Sequence, residues 1–98
     1  MTNKKYDKFG KEIDLMEWSR LLETPGYKVI KQTTLPNGKW ISTVWLGLDH
    51  NFDEGEPLIF ETMVFKNKSN YDELDMERYS TLKQAVVGHE KMVKKYSI

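Results

Sequence analysis

The sequence predicts an α+β domain, an antiparallel three- to four-stranded meander with an N-terminal and a C-terminal helix. Three observations carry that prediction. Between Trp40 and Phe65 two strongly apolar runs, WISTVWLGLDH and PLIFETMVF, are separated only by the acidic turn NFDEGE, and both runs are too apolar to leave a whole face in water. Asn37-Gly38 lies between extended runs, which is a strong hairpin signal. Leu82, Ala85, Val86, His89, Met92, Val93 and Tyr96 recur at spacings of three and four, the period of a helix with one apolar stripe.

Taken in order, residues 1–5 read as disordered and residues 6–13 as a tight turn around Lys8 to Gly10 that ends in a short extended piece. Asp14 with Glu17 three residues later resembles a capping box, and Ile13 with Trp18 suits a hydrophobic staple. Leu15, Trp18, Leu21 and Leu22 then share a helical face, and the helix should stop by Thr24, because Pro25 disfavours helical geometry at the residue before it. A strand over 27–35 pairs through the Asn37-Gly38 turn with one over 39–50, and Gly55 and Pro57 return the chain into a third over 58–65. Residues 66–76, KNKSNYDELDM, lack either period and read as a surface loop, with a short edge strand at Glu77 to Tyr79. Thr81 and Gln84 form a capping box for the last helix, whose stripe faces the sheet and whose Lys91, Lys94 and Lys95 read as a solvated helix end that complements the dipole. Gly88 sits inside that helix at a cost of about 1 kcal/mol relative to alanine, which points to a close neighbour.

Composition narrows the function classes. Ninety-eight residues suit a single domain, 1–98. Without cysteine there is no disulfide, thiolate nucleophile or cysteine zinc site, so any metal would need carboxylates and the two histidines. No motif calls for a cofactor. Fifteen basic residues balance fifteen acidic ones, which removes the bulk attraction behind nonspecific nucleic-acid binding, and no apolar run is long enough for a membrane span. With no secretory h-region after the basic start, a cytoplasmic location is expected.

A compact turn at 51–57 would oppose residues whose numbers sum to about 108, aligning odd positions of both strands. One face would then carry Ile41, Thr43, Trp45, Asp49, Ile59, Glu61, Met63 and Phe65 around the gap at Gly47, as a shallow pocket with acidic groups. Two constellations follow. Asp49, His50, Glu61 and His89 supply two carboxylates and two imidazoles, the chemistry of a divalent metal or acid–base site, which makes a small metal-dependent hydrolase or nuclease the alternative reading. Their spacing matches no metal motif, and each has a structural role open to it: Asp49 capping the 51–57 turn, His89 satisfied in the core, Glu61 paired with a lysine or with His89. Trp18, Trp40, Trp45, Phe60, Phe65, Tyr79 and Tyr96 form an aromatic set able to build a core, stack a base or anchor a partner, with Trp45 favoured for binding because it would share a face with Glu61.

The runs STVWLGLDHNF, PLIFETMVF and RYSTLKQAVVGHEKMV, with the opening YDKFGKEIDLMEWSRLLE, resemble a family of small uncharacterised proteins encoded by tailed bacteriophages. The resemblance covers nearly the whole chain except 66–76. It implies a phage gene product in the host cytoplasm, and small phage proteins outside the virion often act by binding: inhibiting a host enzyme, blocking a defence system or sequestering a signalling nucleotide. The expected function is therefore that of a non-enzymatic accessory protein that binds a host or phage target. Its candidate binding residues are Trp45, Asp49, His50, Glu61 and His89, its partner a protein or small ligand, with a homodimer as another way to cover an apolar sheet face.

Overall fold

The computed structural model describes residues 4–51 and 55–98. A short hairpin pairs β1 (Lys5–Tyr6) with β2 (Glu12–Ile13), so Lys5 of the segment expected to be disordered is strand, while residues 1–3 lie outside the described residues. Asp7 closes the hairpin turn, its Oδ1 accepting from the Phe9 and Lys11 amides at 2.9 and 3.0 Å. Helix α1 (Leu15–Glu23) begins where the Asp14 carboxylate accepts from the Glu17 N–H at 2.8 Å and ends at Thr24, as read. The capping box is only half formed, because the Glu17 side chain turns to Arg20. Of the expected stripe only Leu21 is buried and Trp18 half-buried; Leu15 and Leu22 are exposed, since α1 reaches the core along a narrow edge.

Strands β3 (Val29–Thr34), β4 (Trp40–Trp45), β5 (Phe60–Asn67) and β6 (Asn70–Tyr79) form one antiparallel sheet in that order. At the β3–β4 turn Gly38 alone takes a positive φ, +89°, and its N–H donates to the Leu35 carbonyl at 2.8 Å. Asn37 does not need that conformation: its side-chain amide instead donates to the carbonyls of Tyr96 and Ile98, tying the turn to the end of the chain. The loop expected over 66–76 is a correction. β5 runs on to Asn67 and β6 starts at Asn70, so most of that segment is strand and Glu77 to Tyr79 are the last residues of a ten-residue strand. Asp72, Glu73, Asp75 and Glu77 give β6 the charged composition of an edge strand, and a register shift around Leu74 breaks its alternation, which hid the strand from a search for period two.

Helix α2 (Leu82–Tyr96) opens on a complete capping box, Thr81 Oγ1 accepting from the Gln84 N–H and Gln84 Oε1 from the Thr81 N–H. It lies across all four strands and buries Ala85, Gly88, His89 and Met92. Val86, placed on the sheet-facing stripe by its spacing, is exposed.

The β4–β5 register sets which residues α2 meets. The pairs are Ile41 with Val64, Thr43 with Thr62 and Trp45 with Phe60, so odd positions of β4 share a face with even positions of β5. The expected odd-with-odd alignment is therefore overturned, and with it the pocket that joined Trp45 to Glu61, because a shift of odd length moves a strand's side chains to the opposite face. Both core clusters lie on the helix side. One gathers Leu21, Trp45, Ile59, Phe60, Tyr79 and Ala85, with Trp18 at its margin; the other gathers Leu35, Ile41, Val64 and Met92. Residues of the opposite face enter neither.

Candidate functional site

His89 is fully buried between α2 and the sheet. Its Nδ1 lies 2.7 Å from Thr43 Oγ1 and its Nε2 2.8 Å from Thr33 Oγ1, and Thr43 Oγ1 lies 2.5 Å from Thr62 Oγ1. A neutral imidazole has one donor and one acceptor nitrogen, so rotating hydroxyls satisfy both. Burial pushes the His89 pKa down, with nearby Glu90 opposing. Neither nitrogen is left to face a ligand. Beside these hydroxyls the Tyr79 hydroxyl is buried with no hydrogen-bond partner among the described residues, and burial raises its pKa.

The other candidates lie elsewhere. Asp49 Oδ1 accepts from the Asn51 N–H at 2.8 Å and the Leu58 N–H at 3.0 Å, capping the turn whose centre, 52–54, lies outside the described residues. The His50 N–H donates to the Leu58 carbonyl at 3.0 Å, at the same turn. Glu61 stands on the face away from the helices, its Oε2 accepting from Arg78 Nε at 3.0 Å. Trp45 is wholly buried, its indole N–H donating to the Tyr6 carbonyl at 2.9 Å, so it is core and not a contact surface. The structure thus brings Asp49 and His50 to one turn and separates them from Glu61 and His89, which lie on opposite faces of the sheet. Among the described residues no group of three or more histidine, aspartate or glutamate side chains is placed to hold a metal ion.

The exposed chemistry is on the helix-free face of the sheet. Cross-strand pairing puts Trp40 beside Phe65, Ser42 beside Met63 and Val44 beside Glu61; β6 adds Met76 opposite Met63 and Arg78 opposite Glu61. The Trp40 and Phe65 rings stack with centroids 5.5 Å apart at 27°, and Tyr71, 70% exposed, meets both edge-on at 6.4 and 5.7 Å. Trp40, Val44, Met63 and Met76 are half-buried, while Phe65 and Ser42 between them are buried. Val29, paired with Val44, is exposed, and so is Glu73, paired with Phe65. The Glu61–Arg78 ion pair is internally neutral. Aromatic rings and methionine beside an arginine are enriched in protein contact surfaces.

Trp40 and Phe65 belong to the aromatic set read from the sequence and Met63 to the expected pocket face, but none of the three was among the candidate binding residues. Tyr71 and Met76 were missed, because both fall in the segment read as loop, and the signal that would have found them is the alternation of Met76 and Arg78 with acidic residues on β6.

In comparisons with known proteins, no family model matches the chain, and no curated sequence or solved structure is significantly similar to it. No helix among the described residues is long and apolar enough to cross a membrane.

Proposed function

We propose that the chain is a non-enzymatic binding protein that docks on a target protein through the helix-free face of its sheet. The observation that carries this reading is the Trp40–Phe65–Tyr71 cluster, continued by Met63, Met76 and Val44, on the face of the sheet opposite α2, which no helix or strand among the described residues covers. Aromatic side chains in a partly dehydrated patch are the usual anchors of an interface. The sequence resemblance supplies the setting, a tailed-phage accessory protein acting in the host cytoplasm on a host or phage target, with inhibition of a defence system as one such role. Sequestering a signalling nucleotide would use the same aromatic surface. The scattered positions of Asp49, His50, Glu61 and His89 speak against the hydrolase alternative.

The test is capture of partners from infected host cells by the tagged protein and by Trp40→Ala and Met63→Lys variants whose circular dichroism matches that of the parent. Specific partners held by the parent and lost by both variants support the reading. Partners retained by both variants would refute this face as the contact surface.

A further inference from the structure

A second surface lies at the free edge of the sheet. Helix α2 runs back along β6, with Tyr79 against Gly88 and Asp75 against Lys95, and the two elements enclose a cleft of about 680 Å³. Arg78 points to the far face yet also lines the cleft, so the cleft opens past the strand's edge. β6 has β5 as its only sheet neighbour among the described residues, so its outer edge faces no other strand, although the Met76 N–H already donates to Asp75 Oδ1 at 2.8 Å and would have to be released where a strand pairs there.

The helix wall of the cleft has a definite pattern. Lys83, Val87 and Lys91 follow one another at intervals of four, on one stripe, and all three line the cleft and are exposed. Lys83 and Lys91 have no hydrogen-bond or ion-pair partner among the described residues. Of the remaining charges, Lys95 is paired with Asp75 and Arg78 with Glu61, which leaves two free ammonium groups against the single carboxylate of Glu77. Lys83 and Lys91 stand about 12 Å apart along the helix axis, at 1.5 Å per residue. Residues i and i+4 of an extended strand stand about 13 Å apart and point to the same side, with i+2 midway.

We propose that this cleft takes an extended peptide segment that adds to β6 as a fifth strand and carries the pattern acidic-x-apolar-x-acidic. The two acidic side chains meet Lys83 and Lys91, the apolar one packs on Val87, and the backbone bonds to the β6 edge. Main-chain pairing supplies affinity and the alternate side chains supply selectivity, the division of labour found wherever a peptide is added to a sheet edge beside a helix. The site is distinct from the aromatic face and does not depend on it.

The experiment titrates the full-length, isotope-labelled protein with a capped peptide, Thr-Glu-Thr-Val-Thr-Glu-Thr, and follows amide chemical shifts. Three comparison peptides are used: lysine in place of both glutamates, the same residues with the glutamates adjacent, and the parent N-methylated at alternate backbone positions. Shifts should concentrate on residues 75–79 and 83–95, and all three comparison peptides should bind at least tenfold more weakly. Lys83→Glu and Lys91→Glu should each weaken the parent peptide tenfold or more, while Lys94→Glu, on the same helix outside the cleft, should change little; fold is checked by the dispersion of the same spectra. The proposal is overturned by the absence of any shift at about 1 mM peptide, by affinity indifferent to charge reversal at 83 and 91, by tolerance of N-methylation, or by shifts centred on Trp40 and Phe65.

Discussion

The phenol of Tyr79 fills the space that a side chain at Gly88 would need: a Cβ built there would stand 2.2 Å from both Cζ and Oη of Tyr79. Gly88 is thus a notch in α2 that lets the helix settle onto the last residue of β6. Gly88→Ala should gain about 1 kcal/mol of helix propensity but force the helix off the ring at a cost of roughly 1–3 kcal/mol. A net loss of stability is expected in urea denaturation. In a Tyr79→Ala background the obstacle is gone and the same change should stabilise. Stabilisation by Gly88→Ala in both backgrounds would show that the notch does not constrain the helix.

The buried imidazole of His89 sets an acid limit. Its pKa is held below the ordinary 6.5 by burial, so the unfolded chain binds the proton more readily than the folded one. The contribution is fully present above pH 6.5 and is lost as the pH falls from there toward the depressed folded value. Thermal melts should therefore show stability declining with acidification below pH 6.5, and His89→Gln, although less stable at neutral pH, should lose that part of the slope. An unchanged slope in the variant would locate the sensitivity in other groups.

Glu61 tests structural against chemical roles. Its carboxylate is largely covered, with 13% of the side chain accessible, and is held by Arg78. Glu61→Gln should lower stability by about 1 kcal/mol, as loss of a charge-assisted bond at a partly screened site predicts. Replacing both partners, Glu61→Leu with Arg78→Met, should restore most of it, because neither residue is then left with an unmatched charge. A double-mutant cycle with no coupling would mean that the contact contributes nothing.

Gly47 has a positive φ of +74°, and a Cβ there would come within 2.5 Å of Trp18 Nε1 and Trp45 Cζ2. Gly47→Ala combines backbone strain with collision between two large rings and should cost more than 2 kcal/mol, a magnitude outside that of ordinary surface changes, which lie within about 0.5 kcal/mol. Tryptophan fluorescence should report it directly, since Trp18 is displaced from its hydrogen bond to the Leu46 carbonyl.

Local signals in the sequence proved reliable where chemistry is short-range. Asp14, the Thr81–Gln84 box, the Asn37-Gly38 turn, Asp49 as a turn cap and the close neighbour at Gly88 are all settled within a few residues or by one steric fact. The faces of the β4–β5 hairpin were not legible, because its register rests on the geometry of the 51–57 turn, which no residue type specifies, and a shift of odd length turned Glu61 away from Trp45. β6 was hidden for a different reason. An edge strand that carries charge against unwanted pairing resembles a polar loop when read by hydropathy alone.

The chain of hydroxyls around His89 has a consequence for how sharply the packed state is defined. One helical side chain reaches Thr33 on β3 and Thr43 on β4, and Thr43 reaches Thr62 on β5, so three neighbouring strands are gauged against a single point on α2. An apolar seam tolerates a helix that slips or rolls, since one methyl group substitutes for another. Here a slip by one residue strands an imidazole and the two buried hydroxyls of Thr43 and Thr62 without water, and such a state is costly enough to be depopulated. The sheet is thereby fixed in curvature from behind. Whatever lands on Trp40, Met63 and Phe65 meets a firm plate and need not itself supply the free energy of ordering it.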